Sequence, residues 1–127
     1  MAIKFNVIER GEPGVTGGGT KKFYASTKSS GEMTLNKLTN SIEKVSTVSG
    51  ADIRAVLYAM VDVMKASLAD GQIVRLGELG SLRITIASNG EEKAEKVTAK
   101  SIKGAKTVFT PGTDLKDLLK NLKYEKA

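Results

Sequence analysis

From Gly71 onward the chain admits very few folds. GQIVRLGELGSLRITI, at 71–86, and VFTPGTDLKDLLKNL, at 108–122, bracket a polar segment carrying Lys93, Lys96, Lys100, Lys103 and Lys106. Leu82, Ile84 and Ile86 alternate with Arg83 and Thr85, the period of a strand with one buried face. Val74 and Leu76 likewise point one way and Arg75 the other, across a Gly-spaced turn at Gly77-Glu78-Leu79-Gly80. Thr107 to Phe109 reads as the returning strand, ended by Pro111-Gly112. The two runs must pair, so the polar middle becomes an excursion: a hairpin held at its base by a small core, with a basic arm beyond. That shape suits a nucleic-acid duplex better than a small substrate.

Charge supports this reading through its placement. The chain carries a net charge of +6 and has a pI near 9.6, which favours anionic partners. Residues 1–31 hold five basic and two acidic side chains, and residues 83–106 hold six and three. The helical section, 32–71, holds four and five. Basicity therefore belongs to the extended regions and not to the helices.

The composition excludes several chemistries. With no histidine, imidazole acid–base catalysis, Ser-His triads and His-ligated metals are absent; with no cysteine, so are disulfides and thiolate zinc sites. The lack of cysteine fits a reducing cytoplasm. Gly14-Val15-Thr16-Gly17-Gly18-Gly19-Thr20-Lys21 resembles a phosphate loop, but Thr20 separates the last Gly from the Lys and no strand-to-helix context follows. Glu91, Glu92 and Glu95 sit on a polar arm with no apolar surround to perturb them. No enzyme activity, cofactor, metal site or small-molecule substrate is expected. MAIKFNVIER lacks a basic start and a long apolar run, and no segment approaches the ~20 apolar residues of a membrane span, so neither a signal peptide nor a membrane partner is expected.

With 127 residues, the chain is one domain, or one domain with a small extension. Alternation at Ile3, Phe5 and Val7 predicts a strand. The Gly- and Pro-rich GEPGVTGGGTKK then predicts a flexible turn, with a second strand at Lys22–Ser26. Residues 1–33 thus read as a Gly-rich hairpin extension with a linker at Ser29-Ser30-Gly31. Thr34 is placed to cap a first helix with the stripe Leu35, Leu38, Ile42 and Val45, ending near Thr47. Ser49 is placed to cap a second, running to about Ala69 and closing at Asp70-Gly71. That helix is apolar over much of its circumference (Ile53, Val56, Leu57, Met60, Val61, Val63, Met64, Leu68) and needs cover on two sides. Asn89-Gly90 is a strong turn signal, and Val97–Ile102 is open between a strand and a short helical turn. A final helix, capped by Thr113 or Asp114, carries Leu115, Leu118, Leu119 and Leu122. The expected class is α+β.

The helix–helix–strand order, RLGELGSLRI and VFTPGTDLKDLL resemble the HU/integration host factor family of bacterial, histone-like, nucleoid-associated proteins. There a Gly-Phe-Gly turn leads into the arm, and Phe-Lys-Pro-Gly closes it before a leucine-bearing helix. Gly80, Phe109, Pro111, Gly112, Leu115 and Lys116 fall on motif positions, with Leu79 and Leu82 replacing aromatics. The match spans Thr34 to Leu122. It implies an HU-like domain at 34–127: two N-terminal helices, a three-stranded antiparallel sheet with a protruding β-arm, and a C-terminal helix. It also implies an intertwined homodimer whose arms embrace DNA through the minor groove. Three features depart from the family. The arm has no proline where the family carries Arg-Asn-Pro as a wedge, Thr110 stands where Lys is usual, and residues 1–33 have no counterpart.

The reading is an architectural, largely sequence-independent binder of double-stranded DNA, acting in DNA condensation through basic β-arms of a homodimer. Arg83, Lys93, Lys96, Lys100, Lys103 and Lys106 are the expected DNA-binding residues, and Leu57, Met60, Met64, Leu79, Phe109 and Leu118 the dimer core. Lys21 and Lys22 are further cations that either add contacts or only solubilise. The alternative, motivated by the acids in the arm, is a structural or protein-interaction module that kept the scaffold but lost DNA binding.

Overall fold

The computed structural model describes residues 1–127 and is a mixed α+β structure of three helices and two three-stranded sheets. In chain order the elements are β1 (Ile3–Arg10), β2 (Lys22–Lys28), α1 (Leu35–Val45), α2 (Gly50–Ala69), β3 (Val74–Arg75), β4 (Gly80–Ser88), β5 (Ile102–Pro111), α3 (Thr113–Lys120) and β6 (Tyr124–Lys126). The backbone clusters into two compact units, one of residues 1–38 with 119–127 and one of residues 39–118.

In the first unit, β1 and β2 form the expected hairpin, in register from Lys4 opposite Lys28 to Arg10 opposite Lys22. Its connection folds back through a bond from the Glu12 N–H to the Gly18 carbonyl. Gly17 and Gly18 take φ of 81° and 86° there, which a residue with a Cβ rarely tolerates. β6 was not anticipated. It lies parallel to β1, with Ile3 opposite Tyr124 and Phe5 opposite Lys126, giving the sheet order β2-β1-β6. The Ile3 N–H donates to the Lys123 carbonyl at 2.8 Å and the Ala127 N–H to that of Phe5 at 2.9 Å. The chain's last strand therefore closes the N-terminal sheet.

Both helix starts follow the side-chain caps. The Thr34 hydroxyl accepts from the Lys37 N–H at 3.3 Å, and the Ser49 hydroxyl from that of Asp52 at 3.2 Å. α1 ends at Val45, slightly short of the expected Thr47. Between the two helices Thr39 is fully buried, and a Cβ on Gly50 would stand 3.5 Å from its methyl, so the two backbones approach closely. α3 departs from expectation: it already includes Thr113, so Gly112 precedes the first turn and accepts from the Lys116 N–H at 2.9 Å. Leu122 lies beyond its end.

The second sheet has the order β3-β4-β5, all antiparallel. β3 is only two residues long because the chain turns at once through a 3-10 turn, Gly77–Leu79. β5 starts at Ile102, well before the expected Thr107. Asn89-Gly90 does not form a two-residue hairpin turn; the strands are joined instead by the whole segment 89–101. At the other end of the ladder two backbones cross. The Gly112 N–H donates to the Leu79 carbonyl at 3.0 Å, and a Cβ on Gly112 would collide with the Glu78 carbonyl. Gly80, at φ 142°, is as tightly held: a Cβ would strike the Thr110 carbonyl and come within 2.9 Å of the Phe109 ring.

Almost nothing apolar is enclosed. Ile53, at 6% exposure, is the one buried hydrophobic side chain, while Val56 and Val63 on the same helix stand 64% and 70% exposed. Val56, Ala59, Met60, Val63 and Met64 of α2 line an apolar groove of about 470 Å³ with Val74 and Leu76. The helix therefore lacks the cover its composition demands. No helix is long and apolar enough to cross a membrane.

Gly80→Ala tests the backbone crossing. The strain of a left-side φ and the steric conflict with Thr110 should cost roughly 1–3 kcal/mol, read as a lower denaturant midpoint, with Ser81→Ala close to the parent.

Candidate nucleic-acid interface

Side chains alternate across the β4–β5 ladder. One face carries Leu82, Ile84 and Ile86 opposite Phe109, Thr107 and Ala105. The other carries Ser81, Arg83, Thr85 and Ala87 opposite Thr110, Val108, Lys106 and Gly104. Arg75 of β3 lies opposite Ser81 and joins this second face. Arg75, Arg83 and Lys106 are exposed and make one cationic row along the sheet. The Arg83 guanidinium donates to the Thr110 hydroxyl at 3.3 Å, so the threonine in a lysine's usual place holds a neighbouring cation in position.

Two cations outside the expected set, Arg75 and Lys116, come together in the structure. They line one shallow hollow of about 280 Å³ with Gly77, Gly80, Ser81, Thr110, Pro111 and Gly112. Two cations, two hydroxyls and glycine backbone suit a phosphate, since bulk is absent and donors are many. Extending the Arg83 alternation back across the Gly77–Gly80 turn would have found Arg75. Lys116 reaches the hollow only because Gly112 crosses the Gly77–Leu79 turn, which no local pattern reveals.

The arm lysines separate into two groups. The ladder slips between Ala87, opposite Gly104, and Ser88, opposite Ile102, so Lys103 falls at a bulge. Bulges re-aim side chains; here Lys103 and Lys106 share an open hollow of about 430 Å³ with Thr85, Ile86 and Ala87. Lys93, Lys96 and Lys100 lie on the segment 89–101, which is a folded cap with 3-10 turns at Ala94–Lys96 and Ala99–Ser101. Ser101, 3% exposed, organises the cap. Its hydroxyl donates to the Glu91 carboxylate at 3.1 Å and accepts from the Thr98 N–H at 3.2 Å, while its carbonyl accepts from the Asn89 N–H at 2.7 Å. The six expected DNA-binding residues thus form a sheet row, a bulge and a cap, not one surface. Val97 and Ile102 are exposed on or beside that cap.

Of the expected dimer-core residues, Met60 and Met64 meet in the α2–β3 groove. Leu57 is half-buried elsewhere on α2, Leu79 sits in the 3-10 turn, Phe109 rests against Gly80 with 44% exposure, and Leu118 is exposed on α3. No group of three or more His, Cys, Asp or Glu side chains is placed to hold a metal ion.

The cap gives a local test. Ser101→Ala removes the hydroxyl that joins Glu91 and the Thr98 N–H, at about 1 kcal/mol per bond, and leaves the backbone bond from Asn89 in place. Amides of 89–101 should exchange faster and the arm should be cut sooner by protease, while the global melting point moves little. Unchanged protection would remove Ser101 from that role.

A family model described as an HU domain fused to a wHTH, Ig or glycine-rich motif matches residues 1–126. Among solved structures, the chain is similar to a candidate bacterial DNA-binding protein from Bacteroides vulgatus, with a TM-score of 0.62 and 17% identity over 98% of this chain. It spans about half of that protein, 48%. No curated protein matches it.

Proposed function

This chain belongs to the family of HU domains fused to a wHTH, Ig or glycine-rich motif, and we propose that it is an architectural binder of double-stranded DNA with little sequence preference, working at the nucleoid as a homodimer. The observation that carries the reading is the row Arg75, Arg83 and Lys106 on one sheet face, continued by Lys116 and the hydroxyls of Ser81 and Thr110. Cations and hydroxyl donors are what phosphate oxygens take up, and such contacts position a protein without reading bases. The arm lacks the Asn and Arg density that base edges require. The similar Bacteroides protein, described as a candidate DNA-binding protein, supports the same class of ligand.

In this reading the HU-like part begins at residue 34 and residues 1–33 are the added glycine-rich hairpin, whose sheet takes in β6 from the end of the chain. The homodimer is supported by the open apolar surface. The groove holding Met60 and Met64, and the face with Ile84, Ile86 and Phe109, lie against water in one chain. Each such side chain contributes roughly 1.5–3 kcal/mol when fully buried. The interaction-module alternative rested on the arm's acids, of which Glu91 is engaged by Ser101. Because the tip is a cap without proline, kinking should be weaker than a proline wedge produces.

A gel shift with random-sequence duplex at two salt concentrations tests the function. Binding should weaken steeply with salt. Replacing Arg75, Arg83, Lys106 and Lys116 by Ala should flatten the log–log salt slope by about 0.9 per lost contact, with the melting point nearly unchanged. Replacing Lys93, Lys96 and Lys100 apportions the cap's share. No affinity for duplex at low salt would overturn the proposal.

For the dimer, sedimentation at tens of micromolar should show two chains. Met60→Asp should abolish both association and cooperative melting, since an unpaired carboxylate in an apolar interface is costly. A monomeric, stably folded parent would contradict it.

A further inference from the structure

The N-terminal sheet is two-sided in a way that the hairpin's sequence hides. The β1–β2 register is unbroken from Lys4 to Arg10, so alternate residues share a face. Ile3, Phe5 and Val7, with Ala25 and Phe23 on β2 and Tyr124 on β6, fall on one side, joined there by Glu9, Thr27 and a single cation, Lys126. On the other side Lys4 stands directly opposite Lys28, and Arg10 directly opposite Lys22. All four cations are exposed, and Asn6, Ser26, Ile8 and Tyr24 lie between the two pairs. The acid that strand pairing brings to this face is Glu125, beside Lys4.

Like charges directly opposed across an antiparallel pair destabilise it. A hairpin selected for stability alone would put an acid in one of each pair, and here neither pair has one. The penalty becomes a gain once a polyanion lies over the face. The pairs are six residues apart along β1, about 20 Å at the strand rise. A duplex presents one phosphate charge per ~1.7 Å of axis, so a span of that length offers partners to both pairs at once. At the Arg10 end of the hairpin a notch of about 280 Å³ is lined by Ile8, Arg10, Gly11, Pro13, Tyr24 and Ser26, giving the sugar–phosphate backbone room to seat beside Arg10.

We propose that the face bearing Lys4, Arg10, Lys22 and Lys28 is a second phosphate-contacting surface for double-stranded DNA, separate from the β4–β5 arm. The glycine-rich hairpin is then a binding element and not an inert extension. The inference rests on the reading that duplex DNA is the ligand.

The test uses the full chain and fluorescence anisotropy with a random-sequence duplex across a salt titration. The variant K4Q/R10Q/K22Q/K28Q should bind roughly tenfold or more weakly at low salt, with a log–log slope shallower by about 0.9 per lost contact. Its melting point should hold or rise, because both like-charge oppositions are gone. A second variant, K37Q/K44Q/K65Q/K120Q, removes as many positive charges from the helices and should leave the slope near the parent's. Equal slopes for the two variants would overturn the proposal, since the hairpin would then contribute only net charge. A parent that binds no duplex at all would instead defeat the functional reading itself, and the two failures are told apart by the parent's own titration.

Discussion

The crossing of Gly112 over the Gly77–Leu79 turn fixes the β3-β4-β5 sheet and everything mounted on it. The bond from the Gly112 N–H to the Leu79 carbonyl, with Gly80 pressed against the Thr110 carbonyl, sets which residue of β5 faces which residue of β4. A slip of one residue would send every side chain of a strand to the other face. Were β5 the strand that slipped, Phe109 would join Arg83 on the cationic face and Lys106 would join Leu82 and Ile84 on the apolar one. The same crossing brings α3 back so that Lys116 stands over the hollow with Arg75. Register, the cationic row and the shallow hollow with Arg75 and Lys116 are one consequence of two glycines at which any larger residue is strained.

What the crossing does not supply is a core. Cations on one face imply an apolar face on the other, and in a sheet this small the apolar side has little to pack against within its own chain. Ile53 is buried, yet the α2 groove and the Ile84–Ile86 stretch remain open. A folded chain of this length ordinarily removes well over half of its surface from water. The shortfall is concentrated on α2 and the inner sheet face, so it is a patterned deficit and not a diffuse one. Patterned apolar exposure of this size marks a surface meant to be covered.

Much of this was legible from the sequence where the cause is local. Thr34 and Ser49 announce their helices because a hydroxyl at the N-cap acts on an amide three residues on. The faces of β4 follow from the alternation of Leu82, Arg83, Ile84 and Thr85. The failures have non-local causes. β6 is three residues long, two of them charged, and pairs with a strand at the opposite end of the chain, so no local period betrays it. Asn89-Gly90 has the composition of a tight turn, but Ser101 takes the Asn89 amide and Glu91 into a larger cap. The hollow escaped sequence reasoning for the same reason: Arg75 and Lys116 become neighbours only through the crossing at Gly112.

The two sheets share a bias although they share no sequence motif. Most of their cations gather on one face, Lys4, Arg10, Lys22 and Lys28 opposite the face of Phe5, Val7 and Phe23 in one, Arg75, Arg83 and Lys106 opposite the face of Leu82, Ile84 and Phe109 in the other, with Lys126 beside Phe5 as the exception. The helical section, 32–71, has four basic and five acidic residues and takes no part in this sorting. The strands are the better carrier for a physical reason. Same-face neighbours on a strand repeat at about 6.6 Å in a nearly straight line, two steps of the duplex rise of ~3.4 Å per strand. A helix instead winds its side chains around an axis and offers a polyanion a single narrow stripe. Charge placed on pleated faces is therefore laid out along a line, and the phosphate contacts proposed for the glycine-rich hairpin and for the arm both rest on that geometry.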